Sequence, residues 1–509
     1  MYKCALIVPW VYDKWLKMEH TNRESLGTQY LVSALERNSV SCTYINAHAL
    51  RVSDDEILNT LLQSKCEFVG ISCQSQRAYP TVKKLVKLIR TSGFTGHITV
   101  GGFYVSLAYK NIAYDLPEAD TLLAGEGEYT FPALVKAISD GKTINDISGI
   151  AYVKENGELF FIPPKRIINL DDLSFPMRDI NLISTDEEIG AHFRMLGGRG
   201  CFGQCNFCSV IDFYQPHHKI YRSAKNVVNE IQYLVEKYDI HNFRFDDDLF
   251  YDLSKNGRQW VKEFCHEIKE RQLEIKLDIE MRSDCIRVEE ITILKEAGLY
   301  KVILGAESGS NRILKEMNKG IVVSDSLNAI KILKEFNIEV MLTFITLLPT
   351  MTYEELKENY EFLFATGVYS EYNLYNRLNI YTGCKYESML REQGLLIESD
   401  IFYERHGYRF ADQRVEVFYE TLVRIRENFR DVNIKLLNFR EKVFKIEYDK
   451  CSSYVAICRR TLWTEIIIEM IKIFDSYNNI EFKSNIEDLI KNTKIQIENI
   501  SRYIDGLSV

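Results

Sequence analysis

The segment GGRGCFGQCNFCSVIDFY, Gly197 to Tyr214, places Cys201, Cys205 and Cys208 within eight residues. As thiolates they are soft metal ligands with gaps of three and two residues between them. A structural zinc site wants four ligands, and so does a complete all-cysteine iron–sulfur site. Between Gly190 and Arg287 the other cysteines are Cys265, on an expected helix, and Cys285, after a later strand. Neither has a partner motif. His217 and His218 are nearer but adjacent to each other. Three tight ligands without a fourth point to a four-iron cluster that leaves one iron open, and an open iron binds a small molecule. The alternatives are a zinc knuckle or three core cysteines.

Other residues with chemistry to offer end expected strands. FRFDDDLF carries Asp246, Asp247 and Asp248; EMRSD carries Glu280 and Arg282; LGAESGSNRILKEMNKG carries Glu307, Ser308 and Arg312. Carboxylates at strand ends also cap the next helix or hold a loop. In the first 150 residues the glycines follow later strands, at Gly70, Gly101, Gly102, Gly125 and Gly127. No G-x-G-x-x-G follows the first strand, which disfavours a dinucleotide. Residues without side chains at neighbouring strand ends let a large flat ligand, or its tail, lie against the backbone.

These residues need elements to hold them. Residues 1–150 alternate β-runs (KCALIVPW, SCTYINA, EFVGISCQSQ, HITVGGFYVS) with helical patterns such as YPTVKKLVKLIRTSG. That alternation reads as a parallel, doubly wound α/β sheet. Residues 151–189 form a connector that begins with a hairpin turning at Asn156-Gly157. Residues 190–389 repeat strand and helix about six times, the last strand expected in YNRLNIYTG, which suits a partial or complete barrel with its chemistry at the strand ends. Residues 390–509 read as helical. There Ile486, Leu489, Ile490, Ile497 and Ile500 share one face, a surface for covering the barrel, forming a dimer or closing a substrate pocket.

At 509 residues the chain is too long for one core. A net charge of −9 argues against a general nucleic-acid binder. MYKCALIVPW lacks a leader pattern, and TLWTEIIIEMIKIF is interrupted by Glu465, Glu469 and Lys472, so neither a signal peptide nor a membrane span is expected. The expected setting is the cytoplasm. The other nine of the twelve cysteines are scattered singly, as buried small residues in a reducing compartment would be.

The cysteine spacing, on a loop after the first barrel strand and with Phe207 before the last cysteine, resembles radical S-adenosylmethionine (SAM) enzymes. The match continues through YRSAKNVVNEIQYL from Arg222, FRFDDDLF, EMRSD, LGAESGSNRILKEMNKG and TFITLLPTMTYEEL. The resemblance implies a [4Fe-4S] cluster on Cys201, Cys205 and Cys208 that chelates and splits SAM, with Phe207, Asp247, Arg282, Glu307, Ser308 and Arg312 near that ligand. Arg312 is placed to meet a carboxylate. The family's glycine-glycine-glutamate form is absent at Asp246–Asp248, and Thr382 and Cys384 replace the usual proline and threonine of the final segment.

The N-terminal glycine pattern, with ESLGTQYLVSALE, resembles the cobalamin-binding domain that precedes many radical SAM domains. It implies a corrin-tail pocket of Ser72, Gln74, Gly101, Gly102, Gly125, Glu126, Gly127 and Thr130. The cobalt-ligating D-x-H-x-x-G sequence is missing, and His20, His48 and His97 do not supply it. The resemblances together imply a Rossmann-like, flavodoxin-like corrin domain, a (β/α)6-type partial TIM barrel and a helical tail. They imply an external electron donor of flavodoxin or ferredoxin type and a small-molecule or peptide substrate, often from natural-product pathways. The favoured reaction is methylation of an unactivated carbon; the alternative is cyclisation or rearrangement without methyl transfer. A tRNA-modifying methylthiotransferase is disfavoured by the acidic chain and by the wide spacing of Cys4, Cys42, Cys66 and Cys73.

Overall fold

The structure is a computed structural model that describes residues 2–10, 24–186, 190–215, 218–399, 401–403, 407–430, 432, 435, 445–477 and 481–507. His20 and His217 lie outside the described residues.

The first layer of architecture is a seven-stranded sheet in the order β2-β1-β3-β4-β5-β6-β7. Its strands are β1 (Tyr2–Val8), β2 (Val40–Asn46), β3 (Phe68–Ser72), β4 (His97–Gly101), β5 (Thr121–Leu123), β6 (Ile150–Val153) and β7 (Leu159–Phe161). The first five are parallel. In β3 all five residues are buried, as a parallel strand covered by helices on both faces requires. The helix Tyr79–Thr91 turns Tyr79, Val82, Leu85, Val86 and Ile89 inward at helical spacing. The expected hairpin is β6–β7. It pairs antiparallel on β5, so the first sheet runs past residue 150.

The second sheet has the order β15-β14-β13-β12-β9-β8. Its parallel strands are β9 (Gly190–Met195), β12 (Asn242–Phe245), β13 (Lys276–Arg282), β14 (Leu299–Glu307) and β15 (Glu339–Phe344). A short antiparallel strand, β8 (Ser184–Asp186), closes the β9 edge. A two-residue ribbon, β10 (Gly198–Arg199) on β11 (Ile220–Tyr221), brackets the cysteine loop. The sixth parallel strand expected in YNRLNIYTG is reduced to one bridge, Leu347 to Arg377. Around it Thr346 N–H and Leu347 N–H donate to Asn376 O, Leu378 N–H donates to Leu347 O, and the Asn376 side chain donates to Phe344 O at 2.7 Å.

The C-terminal helices Gln413–Asn428, Lys445–Asp475 and Phe482–Leu507 are the elements expected in the tail. Ile486 and Ile497 are buried in the same core as the barrel, with Leu489, Ile490 and Ile500 packed against it. Trp463, fully buried, stacks on Phe429 at 5.1 Å and donates its indole N–H to Glu371 at 3.0 Å. The apolar face therefore covers the barrel. From the segment before these helices, Phe402 and Tyr403 reach the other way and pack on Tyr79 of the first domain, at 5.4 and 5.2 Å.

Buried ion pairs fasten the first domain to the barrel. Arg178 of the connector meets Glu24 at 2.9 Å and Glu230 at 2.7 Å, and Glu230 also takes Arg222 at 2.7 Å. Breaking such a pair on one side leaves a buried charge at a cost of about 3–5 kcal/mol.

Candidate functional site

The cysteine loop hangs between β10 and the short helix Val210–Phe213. Gly203 N–H donates to Cys201 Sγ at 3.3 Å, and Cys208 N–H to Cys205 O at 3.1 Å. A Cβ at Gly203 would lie 3.1 Å from Arg282 Nη1, 3.4 Å from Cys201 Sγ and 3.7 Å from Cys205 Sγ, which places this glycine between two sulfurs and a cation. Asn206 and Asn318 tie the loop to the segment after β14: Asn206 Nδ2 donates to Glu316 O and Asn318 Nδ2 to Gln204 O, each at 2.7 Å. Burial pushes the Cys208 thiol up to about 12. It raises Cys201 too, against the Gly203 N–H and the Arg282 and Lys319 cations.

Those cations are built in. Arg282 Nη1 approaches Cys205 Sγ at 3.9 Å while its Nη2 donates to Lys319 O at 2.6 Å, and the guanidinium lies 4.9 Å over the Phe202 ring. Lys319, fully enclosed, donates to Glu307 Oε1 at 2.8 Å and faces the Phe207 ring at 5.9 Å. Each cation also holds a carboxylate, Arg282 that of Asp284 at 2.9 Å and Lys319 that of Glu307, so both are fixed as N–H donors beside thiols that suit a thiolate-held cluster. Glu307 sits at a register shift in β14 with φ +63°, a left-handed conformation that costs a non-glycine residue about 1–3 kcal/mol. The bulge aims its carboxylate at Lys319, and Thr343 Oγ1 donates to the same oxygen at 3.2 Å. Glu280 stands on β13; burial, then Glu307 and Asp248, push its carboxyl up to about 7.

In the first domain a cavity of about 230 Å³ opens at the carboxyl ends of β3, β4 and β5, where ligands sit in such sheets. Ser72, Gln74, Gly101 and Gly102 form one side; Gly125, Glu126 and Gly127 form another. The glycines act differently from the expectation of backbone laid bare to a ligand. A Cβ at Gly102 (φ +113°) would meet Cys73 O at 2.8 Å, and one at Gly125 (φ +83°) would meet Pro164 Cβ at 2.4 Å. They let the protein close on itself and so shape the walls. Barrel residues complete the enclosure: Leu196, Arg199, Phe213 and Tyr214. Among the described lining residues none is histidine. His97 is engaged with Thr121 at 2.9 Å, and His48 rests edge-on against Trp10.

A second cavity, of about 440 Å³, lies between the domains. Phe207 and Cys208 line it from the cluster loop, Phe103 and Tyr104 from the first domain, and Ile345 and Thr382 from the barrel end. Gln74 and Phe103 border both cavities. No residue beyond Thr382 is among its described walls, so the tail helices cover the barrel without lining this space.

Residues 22–135 match the B12 binding domain, and residues 195–363 match the Radical SAM superfamily. The chain is a cobalamin-dependent radical SAM enzyme. Its cofactors are a [4Fe-4S] cluster, SAM and cobalamin. The enzyme is 29% identical over 364 residues to an uncharacterized methyltransferase of Pyrococcus horikoshii, covering 71% of this chain and 77% of the relative. It is 27% identical over 330 residues to an anaerobic magnesium-protoporphyrin IX monomethyl ester cyclase of Rubrivivax gelatinosus, covering 62% of this chain and 58% of that one. In fold it resembles the cobalamin-dependent SAM radical enzyme OxsB with aqua-cobalamin and SAM bound, with a TM-score of 0.79 and 18% identity over 99% of this chain and 80% of the other. Among the described residues no helix is long and apolar enough to cross a membrane.

Of the residues the sequence singles out, Arg282 stands against Cys205 of the cysteine loop, and Lys319 links Glu307 to the Phe207 ring. Four others are committed elsewhere. Asp247 is spent internally: its oxygens take Lys219 Nζ at 2.6 Å and Gly197 N–H at 2.8 Å, with no exposure. Ser308 donates to Asn359 at 2.7 Å and ties β14 to the helix Tyr353–Thr366. The carboxylates that Arg312 meets belong to the protein, Glu316 at 2.7 Å and Glu355, beside a separate surface groove. Thr130 bonds back to Glu126 O at 3.2 Å, off the cavity wall. Glu126 lines the cavity, yet its carboxylate is held by Arg199 at 2.6 Å and by Ile167 N–H at 2.7 Å. Sequence reasoning missed Lys319, Arg199 and Tyr214. All three fall inside quoted motifs, but their partners are set by topology.

Proposed function

We propose that this enzyme methylates an unactivated carbon of a small organic molecule or peptide held in the cavity between its two domains. One observation carries the reading: that cavity has the cluster loop as one wall and the corrin domain as the opposite one. Cys201, Cys205 and Cys208 hold the cluster, and Arg282 and Lys319, held by Asp284 and Glu307, place N–H donors beside it. Glu307 holds Lys319 in register. Ser72, Gln74 and the Gly101–Gly102 and Gly125–Gly127 turns border the corrin tail. When bound, the cluster with SAM supplies a hydrogen-abstracting 5′-deoxyadenosyl radical from one side, and methylcobalamin supplies a methyl group from the other. Phe103, Phe207, Ile345 and Leu378 make the intervening space largely apolar, which keeps water from a reactive centre. An external flavodoxin- or ferredoxin-type protein delivers the electron. Natural-product assembly is the setting we favour, and the methyltransferase relative supports it over a cyclase.

The test uses protein purified without oxygen from cells supplied with cobalamin, analysed for bound corrin and for products of SAM. Stoichiometric corrin, with S-adenosylhomocysteine rising alongside 5′-deoxyadenosine when the acceptor is present, supports methylation. Turnover with 5′-deoxyadenosine alone points to cyclisation or rearrangement. Cys208→Ala yields no 5′-deoxyadenosine; if it does, the cluster assignment fails.

A further inference from the structure

Both feet of the cysteine loop stand in the wall of the other cofactor's cavity. Leu196 and Arg199 precede Cys201, Phe213 and Tyr214 follow Cys208, and all four face the space enclosed by the Gly101 and Gly125 turns. Arg199 is two residues from Cys201. Its buried guanidinium forks onto two carboxylates of the first domain, Nη1 to Glu126 Oε1 and Nη2 to Glu128 Oε1, each at 2.6 Å.

The backbone on either side of that fork is equally committed. Arg166 of the connector donates to Arg199 O at 2.9 Å and stacks its cation on Tyr214 at 5.0 Å. Gly200 N–H donates to Asp248 at 3.0 Å, and at φ +83° it has no room for a side chain beside Arg166. Two planar charge-assisted bonds fix direction as well as distance. The stem of the cysteine loop is therefore set by the loop that shapes the first-domain cavity.

We propose that occupancy of that cavity and assembly of the cluster on Cys201, Cys205 and Cys208 are thermodynamically coupled, with Arg199 as the positioning residue that carries the coupling. This rests on the cofactor assignment above. A group seated against Glu126, Gly127 and Tyr214 orders both feet of the loop before iron arrives. A cluster on the three cysteines orders the barrel half of the cavity wall before the corrin arrives. Whichever binds second meets a site already ordered and loses less conformational entropy. The effect is reciprocal, because linkage requires equal factors in both directions. A fork that serves stability alone would lower the melting temperature when altered and leave this factor untouched.

The experiment is an anaerobic titration with hydroxocobalamin, read by corrin absorbance after equilibrium dialysis. It compares protein stripped of iron by a chelator with protein reconstituted with iron and sulfide. The wild type should bind hydroxocobalamin at least about fivefold more tightly in the reconstituted form, the lower end of ordinary coupling. Arg199→Lys keeps the charge and loses the fork, so its ratio should fall to near one whatever its absolute affinity for hydroxocobalamin. If that variant does not fold, Glu128→Gln removes one arm of the fork and should lower the ratio without abolishing it. Equal affinities in both wild-type forms overturn the coupling and leave the corrin assignment standing. Binding to neither form overturns both. An unchanged ratio in a folded variant overturns the role of Arg199.

Discussion

Glu280 shows how the barrel interior sets the properties of a single side chain. Its carboxyl is held at about 7 against an ordinary 4.5, chiefly by burial and then by Glu307 and Asp248. A folded value above the unfolded one means the contribution to stability is fully present below about pH 4.5 and is lost as pH rises through 7. Above that, in the cofactor-free protein, the buried anion costs about 3 kcal/mol. Glu280→Gln removes the titration. It should raise the urea midpoint of the cofactor-free protein at pH 8 and change it little at pH 5. Equal shifts at both pH values would show that the effect is packing. At this scale the sequence was informative where chemistry is local. Cys201, Cys205 and Cys208 are neighbours along the chain, so their spacing carries the meaning. The partner of Asp247 was not legible, because Lys219 lies 28 residues away and is brought to it by the fold.

Elements were legible where period and length agreed. The strands β3 and β4 fall within the runs EFVGISCQSQ and HITVGGFYVS, and β1 and β2 overlap KCALIVPW and SCTYINA to within one residue; a strand covered on both faces, such as β3, is buried throughout. The sixth barrel strand was not legible as missing. YNRLNIYTG has strand-forming residues and bonds to the preceding segment through Asn376 O and Leu378 N–H, but the pairing ends after one bridge. The turn between β4 and the helix Phe103–Asp115 gives a test. Gly102→Ala forces a left-handed residue against Cys73 O. The strain alone is about 1–3 kcal/mol. The variant should melt earlier and bind hydroxocobalamin at least tenfold more weakly. Unchanged affinity would mean that this turn does not shape the corrin pocket.

Across the whole molecule, the tail is fastened by a continuous buried core in which Trp463 is the largest fully buried side chain. Trp463 fills the space between Phe429 and Glu371 with no exposed surface. Trp463→Ala should cost about 3–5 kcal/mol. Limited trypsin treatment should then cut within the C-terminal helices while the fragment carrying the cysteine loop persists. Cleavage at the wild-type rate would show that other contacts dominate the docking. The domain order was legible from alternating periods, but how the domains share a wall was not. Pairs such as Arg199 with Glu126 join residues 73 positions apart and leave no pattern in either segment. That shared wall limits how such proteins can be recombined. A corrin domain moved onto an unrelated barrel would leave Leu196, Arg199, Phe213 and Tyr214 behind and arrive with its ligand site open on one side. A working exchange of the first domain should therefore carry the feet of the cysteine loop along with the sheet that faces them.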